Sequence, residues 1–298
     1  MKHPKVTIIF PNLNGGENPL KCLRSIEKLN FPKKCLKTIV VDNSSTDGSP
    51  LEIQKKFPWA KVIIQKKNLG FAGAINVGIK NGKSDYFFIT NDDIGFARDS
   101  LKILINYVQK QPKVGIVGGK QLYPQTKKFL AGGRNFNFLT GQQINLKKVN
   151  SPRTCDQIDG CTMLIRRKVI DKIGLFDEDF YPAYWEDLDF CIRAKRAGFK
   201  IVYHPKAIFY HNHAATTSKW SLNKMYFLGA KYRLRIYLKH ANLFEFSSFI
   251  IFHFFLVIPF RIVIHREPIL VPEVRALFWN LKNFRKTLSA RKLYSDII

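Results

Sequence analysis

The densest group of carboxylates in the sequence consists of Glu186, Asp187 and Asp189, which follow directly after an aromatic pair. A helical pattern begins at this point, so the carboxylates fall at a predicted helix N-terminus, where the helix dipole favours their ionised form. An ionised carboxylate in such a place can remove a proton from an attacking hydroxyl group. Asp187 is therefore a candidate general base, whereas a purely structural role at the helix end suits Asp189 better.

A second acidic pair, Asp92 and Asp93, follows directly after an apolar stretch. Carboxylates at the end of a buried strand can present hard oxygen ligands to a Mg²⁺ or Mn²⁺ ion that bridges two phosphates. Adjacent carboxylates repel each other, so the pair costs stability when no cation is bound. Either His211 or His213 could complete such a site with Asp93. The alternative is that both aspartates are solvated turn residues.

Two polar stretches suit the binding of a nucleotide. The first, Asp42 to Gly48, comes at the carboxyl end of a predicted strand, where open α/β sheets bind ligands. A carboxylate there can accept hydrogen bonds from a nucleobase or a ribose hydroxyl. The second, Asn68 to Asn76, places small residues at a helix start, where a diphosphate can approach the backbone. Ordinary turn chemistry and a tight helix start remain open as structural explanations.

The elements that must position these residues alternate along the first 120 residues, which predicts a parallel-sheet α/β domain. The predicted strands are Val6–Phe10, Thr38–Val41, Val62–Ile64, Tyr86–Ile89 and Val114–Val117. The predicted helices are Leu20–Leu29, 49–57, Phe71–Lys80 and Asp99–Gln109. Asn18 is a predicted helix cap, and Ser49 with Glu52 has the form of a capping box.

Beyond this region, the segment 126–152 is rich in Gly, Asn and Lys, which predicts an extended loop. Two further strands, Ile158–Ile165 and Lys200–Tyr203, are predicted around helices near Lys168–Ile173 and Asp187–Ala197. From about residue 220 onward, basic residues alternate with large apolar ones.

The most apolar stretch of the chain is Phe246–Ile264, which approaches the ~20 residues that a membrane span requires. It contains His253, Pro259 and Arg261, so a helix within lipid would have to accommodate a charge and a break. We expect contact with a membrane surface or a re-entrant segment; a buried core helix ranks second and a true span third. The flanking cations, which suit an anionic leaflet, include Lys231, Arg233, Arg235, Lys239, Arg266 and Arg275.

The composition is strongly basic, with 49 Lys and Arg against 22 Asp and Glu and a formal net charge of +27. Such an excess favours polyanionic partners. The cations are spread widely and form no zinc-finger, RNP or basic-zipper pattern, so we expect no nucleic acid partner; nucleic-acid binding is the main non-enzyme alternative. The five cysteines lack the CxxC spacing of a metal or redox site, and no signal-peptide core precedes the first strand. Both features predict a cytoplasmic protein with reduced, mostly buried thiols.

Taken in order, seven motifs resemble those of the family 2 glycosyltransferases, particularly the rhamnosyltransferase-like branch, over about residues 5–240. The motifs are IFPNLNG at 9–15, VDNSSTDGS at 41–49, NLGFAGAIN at 68–76, TNDD at 90–93, DGCTMLI at 159–165, WEDLDFCIRAKRAGF at 185–199 and YHNHAAT at 210–216. The resemblance implies an α/β fold of the GT-A type, with a mixed, mainly parallel sheet flanked by helices. Residues 1–219 would form the catalytic domain, with a nucleotide-binding half of about 1–120 and an acceptor-binding, catalytic half of about 121–219. Residues 220–298 would form a basic and apolar helical extension.

The resemblance also implies a role for each matching residue. The nucleotide-sugar donor would be bound by Pro11, Asn12, Asn14, Asp42, Asn43, Ser45, Asp47, Asn68, Gly70, Phe71, Ala72, Asn76, Asn91, Asp92 and Asp93. The acceptor would be bound by Asp159, Gly160 and Trp185. Asp187 matches the family's general base, and Glu186 would orient the acceptor or the donor.

The implied metal site departs from the family pattern in one respect. Asn91 stands where the first carboxylate of the DxD-like motif is expected, so the Mg²⁺ or Mn²⁺ ion would rest on Asp93 and a histidine. His211 matches that histidine better than His213, because the sequence Ala-Ala-Thr follows at the expected offset.

The function that the resemblance implies is an inverting transfer of a sugar, with rhamnose suggested by the branch, from a dTDP- or UDP-sugar. The acceptor would be a hydroxyl of a glycan or lipid-linked saccharide in cell-surface polysaccharide synthesis. The protein would act at the inner face of the cell membrane, in peripheral contact with anionic lipid. The main alternative within enzymes is a polyprenyl-phosphate sugar synthase of the same fold. A catalytically silent scaffold is a further alternative, against which the intact Asp93 and Asp187 argue.

Overall fold

The computed structural model describes residues 3–147, 149–212 and 220–295, with side chains described up to residue 292. The chain forms two compact units. One consists of Met1–Arg134 with Asn145–Ala215, and the other of Asn135–Ile144 with Thr216–Ile298. We call them the first and the second unit. The predicted site residues that fall in the described part of the chain all lie in the first unit.

The regular elements of the described chain are thirteen strands and eleven α-helices. The strands are β1 (Val6–Asn12), β2 (Leu36–Asp42), β3 (Lys61–Ile64), β4 (Tyr86–Thr90), β5 (Ile94–Phe96), β6 (Val114–Leu122), β7 (Phe129–Ala131), β8 (Gly133–Asn137), β9 (Gln142–Asn145), β10 (Arg153–Thr154), β11 (Gln157–Ile158), β12 (Thr162–Arg166) and β13 (Lys200–His211). The helices are α1 (Asn18–Glu27), α2 (Ser49–Lys56), α3 (Gly70–Asn81), α4 (Ser100–Lys110), α5 (Arg167–Ile173), α6 (Glu186–Arg196), α7 (Leu222–His240), α8 (Leu243–Phe252), α9 (Ile258–Val263), α10 (Leu270–Lys282) and α11 (Phe284–Ser295). A 3₁₀ turn covers Lys33–Cys35, and a π-helical turn, His253–Val257, joins α8 to α9.

Ten strands of the first unit form one sheet, as far as the described residues show, with the order β10-β13-β6-β12-β4-β1-β2-β3. β5 is added beside β13, and β7 beside β6. The pairs β2–β3, β1–β2, β1–β4 and β6–β13 are parallel, whereas β12 runs antiparallel between β4 and β6. The predicted fold class, a mixed and mainly parallel sheet flanked by helices, is therefore confirmed.

The central strands β1 and β4 are mainly apolar and almost wholly buried because helices cover both faces of the sheet. On β1, Ile8 and Phe10 belong to the core that includes α1 and α4, whereas Ile9 belongs to the core that includes α3. The carboxyl ends of β1, β2 and β4 meet at the same edge of the sheet because these strands are parallel. Open α/β sheets bind ligands at that edge.

The prediction of an extended loop over 126–152 is wrong, since this segment contains β7, β8 and β9. β7 pairs with the preceding strand β6, and β8 pairs with β11, which follows later in the chain. Two glycines that suggested a loop allow close packing instead. A Cβ atom on Gly132 or Gly133 would lie within 2.7 Å of the Tyr203 side chain.

Smaller predictions also need correction. Ser49 forms no capping box, because its hydroxyl donates to Asp47 and accepts a hydrogen bond from Asn12; Gly48 occupies the cap position. Glu17, not Asn18, occupies the cap of α1. A turn at 159–161 separates β11 from β12, and β13 continues to His211.

The helical extension predicted from about residue 220 is confirmed by α7 to α11, which lie in the second unit together with the tip of the β8–β9 hairpin. The five cysteines are all among the described residues. None forms a disulfide, and all except the half-buried Cys35 are buried.

Candidate active site

The loops that follow β1 and β2 are joined by hydrogen bonds centred on Asn12 and Asp42. Asn12 Nδ2 donates to Asp42 Oδ1 at 2.7 Å and to Ser49 Oγ at 2.8 Å. The hydroxyl and the N–H group of Ser45 donate to the Asp42 carboxylate at 2.6 and 3.0 Å. Asn12 and Asp42 are fully buried. The structure thus brings together Asn12, Asp42 and Ser45, as the sequence predicts.

Asn14 and Asp47 extend this network towards the surface. Asn14 Oδ1 accepts a hydrogen bond from the Thr46 N–H at 2.7 Å, and Asp47 accepts one from the Gly16 N–H at 3.0 Å. Burial alone would raise the pKa of Asp47, but hydrogen bonds from Ser49 and Gly16 lower it below its usual value. Pro11 lies half-buried within β1 itself. The first loop therefore has a fixed conformation before any ligand binds.

The motif at the start of α3 is held by Asn43 and Asn68. Asn43 donates to the Gly70 carbonyl at 3.2 Å and accepts from the Leu69 N–H at 3.3 Å, and Asn68 accepts from the Gly70 N–H at 2.8 Å. Gly70 has a φ of +71°, and a Cβ atom there would lie 2.7 Å from the Pro182 carbonyl oxygen. Glycine is required here because an L side chain would meet both strain and a clash.

Asp93 and His211 face each other across the paired strands β5 and β13. The pairing of Ile94 with His211 places His211 Nε2 3.3 Å from Asp93 Oδ1. Asp93 Oδ1 is buried and has no hydrogen-bond partner among the described residues. A buried carboxylate oxygen without a donor is costly unless a cation satisfies it. His213, the alternative ligand, lies outside the described residues.

Asp92 points away from this pair. A Cβ atom on Gly15 would lie 2.4 Å from Asp92 Oδ2, so Gly15 lets the loop after β1 approach this carboxylate closely. Burial, and then the charge of Asp93, raise the pKa of Asp92 to about 7. Asp92 and Asp93 therefore have different surroundings, and Asp93 is the one that faces His211.

Asp187 lies at the start of α6 with both carboxylate oxygens engaged. Oδ1 accepts from Gln157 Nε2 at 3.1 Å and from the Leu188 N–H at 2.7 Å, and Oδ2 accepts from the Gly160 N–H at 3.2 Å. Burial and the negative charge of Asp159 raise the pKa of Asp187 to about 6, against the opposing effect of Arg134. A carboxyl group with this pKa is ionised at neutral pH and still basic enough to accept a proton during a reaction.

Glu186 and Asp189 differ sharply from Asp187. Burial and the adjacent Asp187 raise the pKa of Glu186 well above its usual value, and Glu186 Oε2 has no hydrogen-bond partner among the described residues. Asp189 accepts a 2.8 Å hydrogen bond from Arg193 in a buried ion pair, which fits the structural role considered for it. Trp185 occupies the cap of α6 with a φ of +73°.

Asp159 connects the two parts of the site through residues that the sequence analysis missed. Its Oδ2 accepts from Arg134 Nη2 at 3.1 Å and from Gln121 Nε2 at 3.0 Å. Gln121 Oε1 lies 2.8 Å from His211 Nδ1. Gln121 is the second-last residue of β6 and lies beyond the apolar run Val114–Val117, so it carried a weaker signal than Asp42 or Asp93. Arg134 carried no such signal, because its segment was interpreted as a loop.

The described contacts do not bring every predicted residue into this group. Ala72 is buried within α3, and the Asn76 amide is bound to Glu178 and to the backbone of Phe176. The Asn91 carbonyl accepts a long hydrogen bond from Cys22. Phe71 does reach the site, since a Cβ atom on Gly160 would lie 3.0 Å from its ring. The assignments of Ala72, Asn76 and Asn91 to the donor stay predictions.

Arg134 provides a test of the Asp187 surroundings through the pH dependence of turnover. A base works only when it is ionised, so wild-type turnover should fall as the pH falls through about 6. Replacing Arg134 by methionine removes the positive charge that lowers the pKa of Asp187. The acidic limb of the pH profile, where turnover falls, should therefore move to higher pH. Asp159→Asn, which removes a negative charge, should move the limb to lower pH. Unchanged limbs in both variants would show that Asp187 is not the titrating base.

The chain matches the family model described as "Glycosyltransferase like family 2" over residues 3–226. A relative from Mycobacterium tuberculosis (strain CDC 1551 / Oshkosh), described as N-acetylglucosaminyl-diphospho-decaprenol L-rhamnosyltransferase, is 26% identical over 211 residues, which cover 61% of this chain and 68% of the relative. S. aureus TarS 1-349 in complex with UDP-GlcNAc gives a TM-score of 0.61 at 16% identity, covering 98% of this chain and 90% of that one. Mannosyltransferase PcManGT from Pyrobaculum calidifontis, in complex with GDP-Man and Mn²⁺, gives a TM-score of 0.60 at 17% identity. The match covers 100% of this chain and 86% of that one.

The two structural likenesses show the GT-A fold. The family match covers most of the first unit, including the loops after β1 and β2, Asp93 and Asp187. The chain therefore belongs to the glycosyltransferase-like family 2 and is a glycosyltransferase.

Proposed function

We propose that this enzyme transfers a sugar, with inversion at the anomeric carbon, from a nucleoside-diphosphate donor to a hydroxyl of a glycan or lipid-linked saccharide. The observation that carries the proposal is the Asp187 carboxylate, which three N–H groups orient and whose pKa is about 6. The reaction would serve cell-surface polysaccharide synthesis. Support for a lipid-linked acceptor comes from the M. tuberculosis relative, which is described as acting on N-acetylglucosaminyl-diphospho-decaprenol.

For the donor we propose a dTDP- or UDP-sugar, with rhamnose as the first candidate sugar. The buried Asp42 and the ordered loops around it offer a polar edge for a pyrimidine base and its ribose. The start of α3 is approached by the Pro182 carbonyl, which accepts a hydrogen bond from the Phe71 N–H, so we do not assign the diphosphate to the backbone at Gly70. The M. tuberculosis relative is described as an L-rhamnosyltransferase, which supports rhamnose as the first candidate sugar.

We propose Mg²⁺ or Mn²⁺ as the cofactor, held by Asp93 and His211. The residues fit such an ion, because Asp93 Oδ1 is buried without a hydrogen-bond donor and His211 Nε2 lies beside it. Among the described residues, no group of three or more His, Cys, Asp and Glu side chains could hold a metal. A site with two protein ligands suits these ions, which usually complete their coordination with substrate phosphates and water. The bound ion would neutralise charge on the leaving diphosphate.

The chain's own residues supply the remaining chemistry. Gln157 and Gly160 orient the Asp187 carboxylate, and Asp187 takes the proton from the acceptor hydroxyl as that oxygen attacks the anomeric carbon. Glu186, whose pKa is raised well above its usual value by burial and by the adjacent Asp187, would orient the acceptor or the donor. Asp42 and Asn43 hold the two loops that carry the nucleotide.

The experiment that tests this proposal is a donor panel with purified protein. Release of nucleoside diphosphate is measured for dTDP-rhamnose, UDP-GlcNAc, UDP-glucose and GDP-mannose, with Mn²⁺ or with EDTA. We expect release from a pyrimidine-nucleotide donor that depends on Mn²⁺ and increases when a polyprenyl-diphosphate saccharide is added. Greater stimulation by polyprenyl phosphate alone would favour the polyprenyl-phosphate sugar synthase. Absence of release from every donor would contradict the proposal.

A separate feature, the surface of the second unit, bears on where the enzyme works. Within the described residues, one helical stretch, Leu243–Val263, is long and apolar enough to cross a bilayer, and little of it is buried. Large apolar side chains are exposed along this stretch and along α10: Leu243, Phe244, Ile251, Phe255, Leu256, Phe260, Val263, Leu270, Val271, Val274, Leu277, Phe278 and Leu281. Exposed apolar surfaces of this size are typical of sites that contact a membrane or another protein.

The inner side of the same unit contains charged groups beside its buried apolar side chains. Arg233 Nη2 donates to Glu273 Oε1 at 2.8 Å, and the buried His253 lies within hydrogen-bond distance of both residues. Arg235, which is fully buried, donates to Thr287 Oγ1 at 2.8 Å. Soluble proteins place their apolar side chains inside and their charges outside. The reverse arrangement is expected where lipid replaces water on the outside.

We propose that the second unit lies against the anionic inner face of the cell membrane, with its exposed apolar side chains among the acyl chains. Residues 216–298 contain fourteen Lys and Arg against four Asp and Glu, which favours an anionic leaflet. His253 is packed against Phe249 and Glu273, so one side of the apolar stretch is occupied by protein. The proposal places the enzyme in the cytoplasm, beside its lipid-linked acceptor.

Sedimentation with liposomes tests this placement. The full-length protein should pellet with vesicles that contain phosphatidylglycerol and much less with pure phosphatidylcholine, because each cation near the surface contributes about 1 kcal/mol. The double variant Phe255→Glu, Leu256→Glu should lose most of this binding. A matched pair of glutamates at the exposed neutral positions Gln54 and Gln111 of the first unit controls for the two added negative charges. Protein that stays in the supernatant of anionic vesicles at low salt would contradict the proposal.

A further inference from the structure

The Gln121 side chain is buried between the carboxylate of Asp159 and the imidazole of His211. Its exposed fraction is 1%. Its Nε2 atom lies 3.0 Å from Asp159 Oδ2, and its Oε1 atom lies 2.8 Å from His211 Nδ1. The amide therefore forms one hydrogen bond to an acidic residue and one to the histidine that faces Asp93.

The carboxylate determines which way the amide points. Asp159 is ion-paired to Arg134 at 3.1 Å, so it is an ionised group that can only accept hydrogen bonds. The NH₂ end of Gln121 must then face Asp159, and its carbonyl end must face His211. A carbonyl oxygen can only accept, so His211 Nδ1 must carry a proton.

The protonation of Nδ1 fixes the other nitrogen of the same ring. In a neutral imidazole with a protonated Nδ1 atom, Nε2 has a lone pair and no proton. That atom lies 3.3 Å from the buried Asp93 Oδ1, which has no hydrogen-bond donor of its own. Two electron-rich atoms then face each other at a distance that a shared cation would stabilise. The Cys161 thiol, at 4.0 Å from Nδ1, is a much weaker partner than the Gln121 carbonyl.

We propose that Gln121 is a positioning residue for the metal centre: it holds His211 in the Nδ1-protonated tautomer and so presents Nε2, beside Asp93, as a ligand for the divalent cation. The cation belongs to the proposed function, whereas the tautomer is a property of the chain itself. Replacing the hydrogen-bond partner of a metal-binding histidine commonly lowers the metal affinity by about 10–100-fold. Gln121 would thus influence the metal without touching it.

Two substitutions separate this role from simple packing. Gln121→Met has a similar length but neither accepts from Nδ1–H nor donates to Asp159. Gln121→Glu keeps an oxygen that accepts from Nδ1–H, and burial beside the Asp159 carboxylate favours its protonated form, whose O–H group donates to Asp159 as the amide did. We therefore expect Gln121→Met to weaken Mn²⁺ binding in the presence of UDP by about 10–100-fold, and Gln121→Glu to stay within a few-fold of wild type. UDP affinity in the absence of Mn²⁺ should be the same in all three proteins.

The tautomer is read directly from ¹⁵N spectra of metal-free protein labelled at histidine, with His211→Ala identifying the His211 signals. Wild type and Gln121→Glu should show a protonated Nδ1 atom, and Gln121→Met should show a mixture of tautomers. An Nδ1 atom without a proton in wild type would overturn the proposal without any variant. So would a Gln121→Met protein that keeps wild-type Mn²⁺ affinity, or a Gln121→Glu protein as weak as Gln121→Met. The spectra need neither donor nor metal, so they stand even if no donor in the panel reacts.

Discussion

Replacing Asp187 by asparagine is expected to lower the turnover number by about 10²–10⁴-fold while donor binding survives. Asparagine has nearly the same shape, and its carbonyl oxygen can still accept from Gln157 and Leu188. Its amide cannot take a proton from the acceptor hydroxyl. The Gly160 N–H, which now donates to Asp187 Oδ2, would face an NH₂ group, so a small loss of stability is also expected.

The measurement compares single-turnover rates and donor affinity for wild type, Asp187→Asn and Asp171→Asn. Asp171 lies on the surface of α5, with a side chain that is 59% exposed, and controls for the loss of one negative charge. Thermal unfolding of each protein separates a catalytic defect from a folding defect. Near-normal turnover in Asp187→Asn would remove this residue from the role of base.

Replacing Asp93 by asparagine is the second substitution with a large expected effect. It should lower Mn²⁺-dependent turnover by about 10²-fold or more, because a metal that polarises a leaving group stabilises the transition state by several kcal/mol. Asp93 Oδ1 is the buried atom that faces His211, and an amide in its place lacks the charge that attracts the cation. His211→Ala should weaken Mn²⁺ binding for the same reason, with a smaller effect because imidazole is neutral.

The neighbouring Asp92 provides the comparison for Asp93. Asp92 is close to Gly15 and does not face His211, so Asp92→Asn should weaken Mn²⁺ binding less than Asp93→Asn does. Mn²⁺ affinity is measured by calorimetry with UDP present, and turnover with increasing Mn²⁺. If the two asparagine variants bind Mn²⁺ equally well, or if EDTA leaves wild-type turnover unchanged, the metal assignment is wrong.

The sequence predicted the parts of the site that sit at the ends of strands. Asn12, Asp42 and Asp93 follow apolar runs, and parallel strands carry such residues to one edge of a sheet whatever the details of the loops. The start of α6 was also predictable, because a cluster of carboxylates before an amphipathic helix has a strong local signal. Asp187 therefore lies where a local pattern places it.

The contacts that depend on remote pairing could not be predicted in this way. Asp93 meets His211 only because β5 pairs with β13, and no local pattern gives that register. Gln121 lies near the end of β6, beyond the apolar run Val114–Val117 that predicts the strand, so no local pattern marks it. Arg134 lies in β8, a short strand whose partner, β11, follows much later in the chain. The ion pair between Arg134 and Asp159 therefore depends on the pairing of β8 with β11.

The stereochemistry of the first turnover tests the central claim most directly. Proton NMR can follow the donor and the transferred or hydrolysed sugar before the anomers equilibrate. If Asp187 acts as a base that activates the incoming oxygen, attack comes from the face opposite the leaving diphosphate, and the sugar must appear with the anomeric configuration opposite to that of the donor. A first product with the same configuration as the donor would contradict this account.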